Sequence, residues 1–516
     1  MPIREIAQPR SKVSSKGLTE ILGLAVLVVF GLVVTQVNTT AHLKLYNGFV
    51  NQVTTVRQQG DSSDATAVLR NINDSSILQL SSMLEFPVSE WPTIGASRCR
   101  HNFSFFVYDD LPTNFTTDLE TPLLDILSSK TQNGTYHGVE NMETEYALVQ
   151  LFRTSPCRTY IASEANFWVV PYMSFADCSL SPGYGPGCPQ VNQKKLEVLS
   201  SHLKYYNQQT QNRHVAVQLY DNYMSPKYMR RHFPLRIMTG PQETDTEIVA
   251  PLFCHSPSGQ PSVMLSDKQR WTSKGRIYGF AAVYGTKLNP RMRPRNRQPR
   301  RWRQLFYDQF QARYEKSATV TTNVKNSSTF FFGDMPYILE SSVPTPVNSN
   351  ENPRANILDN WYRQSHICPI LPGDNSWMRR VYDVIRNGCI PAIMESTITL
   401  DAGKNKTTAG WWVPHGKYAA DKAFPFFQTS RDNNLNIDVD YRSFVIVAHY
   451  NSSNQDDMTP LMDKMLEVLQ NPVELERRRQ AMSEYAVRLF YGLGRDAHVY
   501  NDAFSQILYQ LEGQLK

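Results

Sequence analysis

The chain lacks the common spacings of zinc ligands and carries few charges for its size. Neither Cys-x-x-Cys nor His-Glu-x-x-His occurs in its 516 residues, so the sequence gives little support to zinc chemistry. Charged residues make up 19% and hydrophobic residues 41%, a composition that can build a sizeable core and argues against disorder along the whole length. The mean hydropathy is negative, which excludes many membrane spans but permits a single anchor.

The amino terminus supplies that anchor. Residues 21–43 contain no charged side chain, and residues 18–37 would form a helix of about 30 Å, close to the hydrocarbon thickness of a bilayer. The preceding tail, residues 1–17, is basic and is predicted to stay in the cytosol, which puts the carboxyl end in the lumen. A cleaved signal peptide and a buried core helix are the alternatives.

Glycosylation signals and cysteines agree with a luminal body. All eight N-glycosylation sequons follow the anchor, at Asn38, Asn73, Asn102, Asn114, Asn133, Asn326, Asn405 and Asn451. The seven cysteines permit disulfides in an oxidising lumen, and the odd number leaves at least one thiol unpaired within the chain. Cys178 and Cys188 flank a loop rich in proline and glycine, so they are predicted to pair with each other.

The body of the chain divides into a stem and two α/β series. Residues 38–98 are polar and have no sustained strand pattern, which indicates a stem. Residues 99–265 alternate strand-like runs with helical runs, and residues 266–516 repeat that alternation. Strands alternating with helices predict parallel sheets covered on both faces, here two Rossmann-like domains with a cleft between them. The strand-like runs of the first series are 103–108, 166–171, 214–220 and 248–253, and the second series begins with 276–283.

A segment of the second series has the features of a nucleotide site. Gly373 and Asp374 form a turn that leads into a helix, whose free N–H groups and dipole favour a phosphate. Arg379 and Arg380 lie in the first turns of that helix, where a planar guanidinium would reach a diphosphate. Asp383, one turn beyond Arg380, would accept hydrogen bonds from ribose hydroxyls. The alternative is a solvated Arg/Asp face on a capped helix.

Several blocks of the chain, in the same order, resemble those of the exostosin-like glycosyltransferases. The strongest runs from Ser365-x-Ile-Cys through Pro-Gly-Asp and Arg380-Val-Tyr-Asp to Gly388-Cys-Ile-Pro-Ala-Ile. Earlier and later blocks match near residues 106–112, 155–172, 245–251 and 440–447. The departures are Asn212-Arg213-His214 in place of Gly-Arg-Asp-His, Pro369 in place of Leu, and Trp377 and Met378 in place of small residues. They concern the acceptor contacts and the identity of the donor sugar more than the nucleotide site.

The resemblance implies an α/β fold of the GT-B type and an inverting transfer from a nucleotide sugar, usually a UDP-sugar, to a glycan or glycoprotein. It implies a single-pass type II protein of the Golgi membrane that holds no tightly bound cofactor, needs no metal and binds no nucleic acid. Pairing with itself or with a related transferase is compatible with it. The first domain is expected to supply the base, from His214, Asp221, Asp110 or Asp109, each with a structural alternative. Arg276 resembles a family arginine and is expected to join Arg380 on the diphosphate.

Two further motifs have competing interpretations. Asp438-Val-Asp440 is an Asp-x-Asp motif, which holds Mn²⁺ in a different glycosyltransferase fold, but a polar entry to a strand is the interpretation we favour here. Residues 287–303 contain Lys287 and seven arginines, and without these eight cations the formal net charge falls from +6 to −2. This patch indicates an anionic substrate, or else a non-catalytic protein that binds glycans or polyanions. A solvated loop is the plain alternative.

Overall fold

The computed structural model describes the greater part of the chain from residue 99 onward. The chain divides into two compact units, Met1–Glu85 and Phe86–Lys516, and the first of these lies wholly outside the described residues, together with the predicted anchor and most of the predicted stem. Across the described ranges, no helix is both long and apolar enough to cross a membrane. These ranges are 99–128, 139–180, 193–219, 226–239, 242, 244–253, 261–284, 294–314, 331–332, 335–340, 353–371, 379–399, 407–411, 424–427, 439–449, 457–492 and 501–515.

The first half of the body forms a five-stranded parallel sheet whose strands lie in chain order. Each strand pairs with the next in parallel, as in Phe105 with Phe167 and Trp168 with His214. The strands are short and almost entirely buried, as expected for a parallel sheet that is covered by other elements. Their bounds are β1 Phe105–Val107, β2 Phe167–Val170, β3 His214–Val217, β4 Arg236–Met238 and β5 Glu247–Val249.

Helices connect these strands. The buried carboxylate of Glu145 fixes the start of the helix that follows β2. Glu145 accepts hydrogen bonds from the N–H groups of Phe175 and Ala176, at 2.8 and 2.9 Å. Burial raises the pKa of Glu145 to about 8, although these N–H groups oppose the shift. The helices are α1 Thr117–Ser128, α2 Val139–Thr154, α3 Ser174–Leu180, α4 Gln193–His202, α5 Pro226–His232 and α6 Pro261–Ser266.

The second half forms a sheet with a different strand order. Five parallel strands lie in the order β9-β6-β10-β11-β13, and β12 pairs in antiparallel fashion with the long outer part of β11. Strands β7 and β8 form a separate antiparallel pair. The bounds are β6 Tyr278–Val283, β7 Phe331–Phe332, β8 Met335–Pro336, β9 Ile338–Glu340, β10 Ser365–Pro369, β11 Ile390–Thr399, β12 Thr407–Trp411 and β13 Ile446–His449.

This order creates a switch point between β6 and β10. The connection that leaves β6 runs to β9 on one side, whereas the connection that leaves β10 runs to β11 on the other side. Two connections that diverge in this way leave a crevice outside the carboxyl ends of the two strands, which is where open α/β sheets bind ligands. The first sheet, whose described strands keep chain order, shows no such reversal.

One helix of the second half brings Arg303, the last residue of the basic stretch, to this edge. Helix α7 runs antiparallel to β6, because Arg303 lies over the Tyr284 ring, Tyr307 donates to the carbonyl of Ala282 at 3.2 Å, and Phe310 packs on Phe280. The bounds are α7 Pro294–Tyr314, α8 Pro353–Gln364, α9 Arg379–Arg386, α10 Tyr441–Phe444, α11 Thr459–Leu469, α12 Pro472–Ala486 and α13 Ala503–Gly513.

The last helix packs against the first half of the body. The Phe504 ring lies edge-on to Phe152 with centroids 5.0 Å apart, and Glu512 forms an ion pair with His101 at 3.2 Å. The Tyr491 hydroxyl, just before this helix, donates to the carbonyl of Pro251 at 2.8 Å. The chain therefore returns to the first sheet at its end.

Two disulfides join described residues, Cys99 to Cys157 and Cys368 to Cys389. The second ties the carboxyl half of β10 to the start of β11. Cys178 is also disulfide-bonded, but Cys188, its predicted partner, lies outside the described residues, so that pairing stays a prediction.

The parallel α/β architecture predicted from the sequence is confirmed, with differences in detail. Asn471 caps α12, since its side chain accepts from the N–H of Glu474 at 3.1 Å. Of the described strands, β4, β7, β8, β9, β10 and β12 were not predicted. Strand β4 carries the charged Arg236, which is buried against Glu247, and β10 contains Ser365 and ends in Pro369, so neither strand has a continuous apolar pattern.

Candidate functional site

The candidate site lies at the switch point of the second sheet. Tyr284 directly follows β6, and Ile370 and Leu371 directly follow β10, so these residues stand at the two carboxyl ends that border the crevice. All three are buried. A ligand bound at this edge would contact the polar groups that are held next to these three residues.

Tyr284 ties the two strand ends together. Its hydroxyl donates to the carbonyl of Pro369 and accepts from the N–H of Leu371 at 3.1 Å. Burial raises the pKa of this hydroxyl above its ordinary value of 10.0, so it stays protonated and able to donate. The aromatic ring is thereby held in one orientation at the end of β6.

Arg380 lies over this ring. It occupies the first turn of α9, its guanidinium carbon is 4.1 Å from the centroid of the Tyr284 ring, and one N–H group donates to the carbonyl of Val283. Burial alone would lower the pKa of Arg380, but Tyr362, Tyr284 and Asp383 around it outweigh that effect and the pKa is raised. A guanidinium has five N–H donors, so this anchored cation keeps donors for an anionic ligand.

A second cation reaches the same ring from the basic stretch. The guanidinium carbon of Arg303 is 5.5 Å from the centroid of the Tyr284 ring. Arg303 is half-buried and belongs to α7, not to α9. The switch point therefore holds two arginine side chains on one aromatic platform, and both distances are within the range of a cation–π contact.

Asp383 lies one turn along α9 from Arg380, as predicted from their spacing. Its carboxylate is partly exposed and forms an ion pair with Arg386 at 3.3 Å, and Arg386 also pairs with Asp359. Gly373 and Asp374 lie outside the described residues. Helix α9 begins at Arg379, whose side chain also lies outside them.

Arg276, expected on the diphosphate, lies at the opposite edge of the sheet. It precedes β6 and donates to the carbonyl of Ser365, the first residue of β10, at 2.6 Å and to that of Asn387, three residues before β11, at 3.2 Å. Three further carbonyls accept from the same guanidinium. Burial lowers the pKa of Arg276 well below its ordinary value of 12.5. This geometry supports a structural arginine, and we do not include it in the candidate site.

His214 is likewise enclosed. Its Nε2 atom is 2.9 Å from the Tyr108 hydroxyl and its Nδ1 atom is 2.9 Å from the Thr210 carbonyl, so both ring nitrogens have partners. The ring stacks on Trp168 and is fully buried, and burial lowers its pKa to about 4. These contacts support the structural alternative for His214.

The acidic candidates of the first sheet differ in their surroundings. Asp109 and Asp110 are both exposed just beyond the carboxyl end of β1. Asp109 forms ion pairs with Arg158 and, at 3.7 Å, with Arg153. No ion pair involves Asp110 within the part of the chain that the structure describes. Asp221 lies outside the described residues.

The second aspartate of the Asp-x-Asp motif caps a helix. The Asp440 side chain caps α10 by accepting from the N–H groups of Arg442 and Ser443, at 3.1 and 3.3 Å. Asp438 lies outside the described residues. No group of metal-ligating side chains is found among the described residues.

Neither Tyr284 nor the proximity of Arg303 to Arg380 was predicted. Tyr284 follows the predicted strand 276–283 directly, but no sequence pattern marks it as a support for two cations. The order of the strands is what brings α7 and α9 to one crevice, and a sequence pattern does not reveal that order.

The fold and the site together define an α/β protein with a cationic crevice at a switch point, the kind of site that suits a nucleotide. The family model of the exostosin GT47 domain matches residues 99–403, more than half of the chain. The chain therefore belongs to the exostosin GT47 family of glycosyltransferases. Among curated proteins, none matches it.

Proposed function

We propose that the protein transfers a sugar from a UDP-sugar to a glycan or glycoprotein acceptor, with inversion at the anomeric carbon. The donor binds in the crevice between the carboxyl ends of β6 and β10. The observation that carries this proposal is the position of Arg380, a cation anchored at that crevice by Val283 and Tyr284, in a chain of a glycosyltransferase family. On this account the overall architecture is of the GT-B type, with the second sheet on the donor side.

The chemistry requires charge stabilisation and a base. As the bond between the anomeric carbon and the diphosphate breaks, negative charge grows on the leaving UDP, and a preorganised arginine stabilises it. Asp383, one turn from Arg380, is proposed to accept from the ribose hydroxyls. Inversion requires the acceptor oxygen to attack from the face opposite the diphosphate while a base removes its proton.

Asp110 is our preferred base. It is exposed beyond the carboxyl end of β1, and an ionised carboxylate there would accept the proton of an acceptor hydroxyl. His214 is less suited, because its two ring nitrogens are occupied and its pKa is near 4. Asp221 stays a candidate on sequence grounds alone.

We further propose a metal-independent reaction in the Golgi lumen. The arginines at the crevice supply the positive charge that Mn²⁺ supplies in enzymes with a metal-binding Asp-x-Asp motif, and Asp440 is engaged as a helix cap. The location rests on the apolar residues 18–37, the basic tail and the sequons.

The test is transfer and binding with the full-length protein in detergent. Incubation with a panel of nucleotide sugars and glycan acceptors should show transfer from a UDP-sugar, and calorimetry should show UDP binding. Arg380→Gln should weaken UDP binding by about tenfold or more, because a charge-assisted hydrogen bond contributes about 1.5–3 kcal/mol. Arg313→Gln, on the exposed part of α7 where Arg313 pairs with Asp463, is the matched control and should bind as the wild type does. Unchanged UDP binding in Arg380→Gln would remove the proposed site.

A second candidate function is binding of an acidic polysaccharide without catalysis. It is favoured by Arg303, the last cation of the basic stretch, which lies over the Tyr284 ring at the carboxyl end of β6. The discriminating result is affinity for an acidic polysaccharide in a protein that binds no UDP.

A further inference from the structure

Two arginines from different parts of the chain meet on one aromatic ring. Arg303 approaches Tyr284 from α7, the helix that leaves β6, and Arg380 approaches it from α9, the helix that leaves β10. Both guanidiniums are thereby brought to the diverging connections that define the crevice. Arg303, the last residue of the basic stretch, therefore lies at the carboxyl edge of the second sheet.

Like charges held near each other repel, so this arrangement needs a reason. The electron-rich face of a tyrosine offsets part of the repulsion, because it attracts each guanidinium. Two guanidiniums at one crevice favour a ligand with more than one negative charge. A nucleoside diphosphate has that property, and two adjacent phosphates match two separate guanidiniums.

Tyr284 is also tied to the backbone on the side of β10. Its hydroxyl spans the Pro369 carbonyl and the Leu371 N–H, the last described positions before the chain reaches residues 372–378 and then α9. One side chain therefore fixes the end of β10 and supports both cations. Loss of the ring would release Arg303 and Arg380 together, whereas loss of the hydroxyl would release only the tie to β10.

We propose that Arg303 is a second ligand of the donor diphosphate and that Tyr284 is the residue that positions Arg303 and Arg380 for it. This inference rests on the proposed function, since it assigns further residues to the same UDP site.

The first test compares UDP with UMP in calorimetry on the full-length protein. Arg303→Gln should weaken UDP binding by about tenfold to a hundredfold, the loss expected for a charge-assisted contact, and should weaken UMP binding less. Arg313→Gln is a close control, because Arg313 lies on the same helix and its guanidinium carbon is 5.6 Å from the centroid of the Tyr314 ring. It should leave both affinities unchanged.

The second test asks whether Tyr284 acts through the arginines. Tyr284→Leu should weaken UDP binding more than Tyr284→Phe does, because phenylalanine keeps the aromatic face. The double variant with Tyr284→Leu and Arg303→Gln should lose less UDP affinity than the sum of the two single losses. Effects of residues that share one interaction are not additive. Full additivity would overturn the positioning role. If Tyr284→Leu does not fold, Tyr284→Met, which fills a similar volume without an aromatic face, replaces it in the same cycle.

The outcomes separate this inference from the proposed function. If Arg380→Gln loses UDP affinity while Arg303→Gln binds UDP as the wild type does, the second ligand is wrong and the donor site stands. If Arg380→Gln also binds normally, or the wild type binds no UDP, the donor site itself is wrong and the inference falls with it.

Discussion

Arginines lie at both edges of the second sheet, and the two groups differ in what their guanidiniums contact. At the amino edge Arg276 donates to five backbone carbonyls, and Arg479 donates to the carbonyls of Gly388 and His366. At the carboxyl edge Arg303 and Arg380 lie over the Tyr284 ring. The first group joins the strand ends to each other, whereas the second presents charge at a crevice. The same residue type therefore serves stability at one edge and, on our account, binding at the other.

The largest effect is expected at the amino edge, from Gly388→Ala. Gly388 ends α9 with φ +68°, and a Cβ atom there would lie 2.1 Å from the carbonyl oxygen of Arg270 and 2.5 Å from the Arg276 guanidinium. Both the left-handed backbone and the clash oppose the substitution, so we expect a loss of about 3 kcal/mol or more in the free energy of unfolding. Denaturant unfolding measures it.

Gly275→Ala is the control for backbone strain without a steric clash. Gly275 has φ +85° but no atom within 4 Å of an added Cβ, so only conformational strain of about 1–2 kcal/mol is expected. Equal losses in the two variants would show that the packing of Arg270 and Arg276 around Gly388 is not what makes this glycine necessary.

Arg276→Leu should have the next largest effect. Leucine leaves buried carbonyls without their donor, and we expect a loss of about 2–3 kcal/mol in stability. The variant that remains folded should bind UDP with the affinity of the wild type. Normal stability together with lost UDP binding would contradict the structural role of Arg276 and favour a role in binding.

Acid should weaken the amino edge in a third, smaller step. His366 lies on β10 beside Arg479, and burial, Arg479 and Arg276 lower its pKa from the ordinary 6.5 to about 3. A lowered pKa in the folded state means that the unfolded chain binds the proton first. This contribution to stability is therefore complete above pH 6.5 and is lost progressively as the pH falls from 6.5 towards 3.

The measurement is the free energy of unfolding at pH 7 and at pH 4.5 for the wild type and for His366→Gln. Glutamine keeps a polar side chain near Arg479 but does not titrate. The wild type should lose more stability than the variant over this interval. Parallel losses in both proteins would show that His366 is not the group responsible.

The smallest effect is expected from removal of metal ions. Because the proposed charge on the donor comes from arginines at the carboxyl edge, EDTA should leave sugar transfer within about twofold of the untreated rate. The rate of transfer with and without EDTA measures this directly. Abolished transfer that Mn²⁺ restores would instead favour a metal role for the Asp-x-Asp motif.

The sequence predicted the alternation of strands and helices and the spacing of Arg380 and Asp383, because each follows from a local pattern. It did not separate Arg276 from Arg380, because each is an arginine next to a strand or a turn. The edge at which each one lies depends on strand direction. The meeting of Arg303, Tyr284 and Arg380 depends on strand order, which is decided by packing between distant segments.

The most direct test of the account is an experimental structure of the protein with UDP. The account predicts the diphosphate at the carboxyl ends of β6 and β10, within hydrogen-bond distance of the Arg380 guanidinium. A diphosphate bound elsewhere, at the amino edge beside Arg276 or on the first sheet, would contradict it.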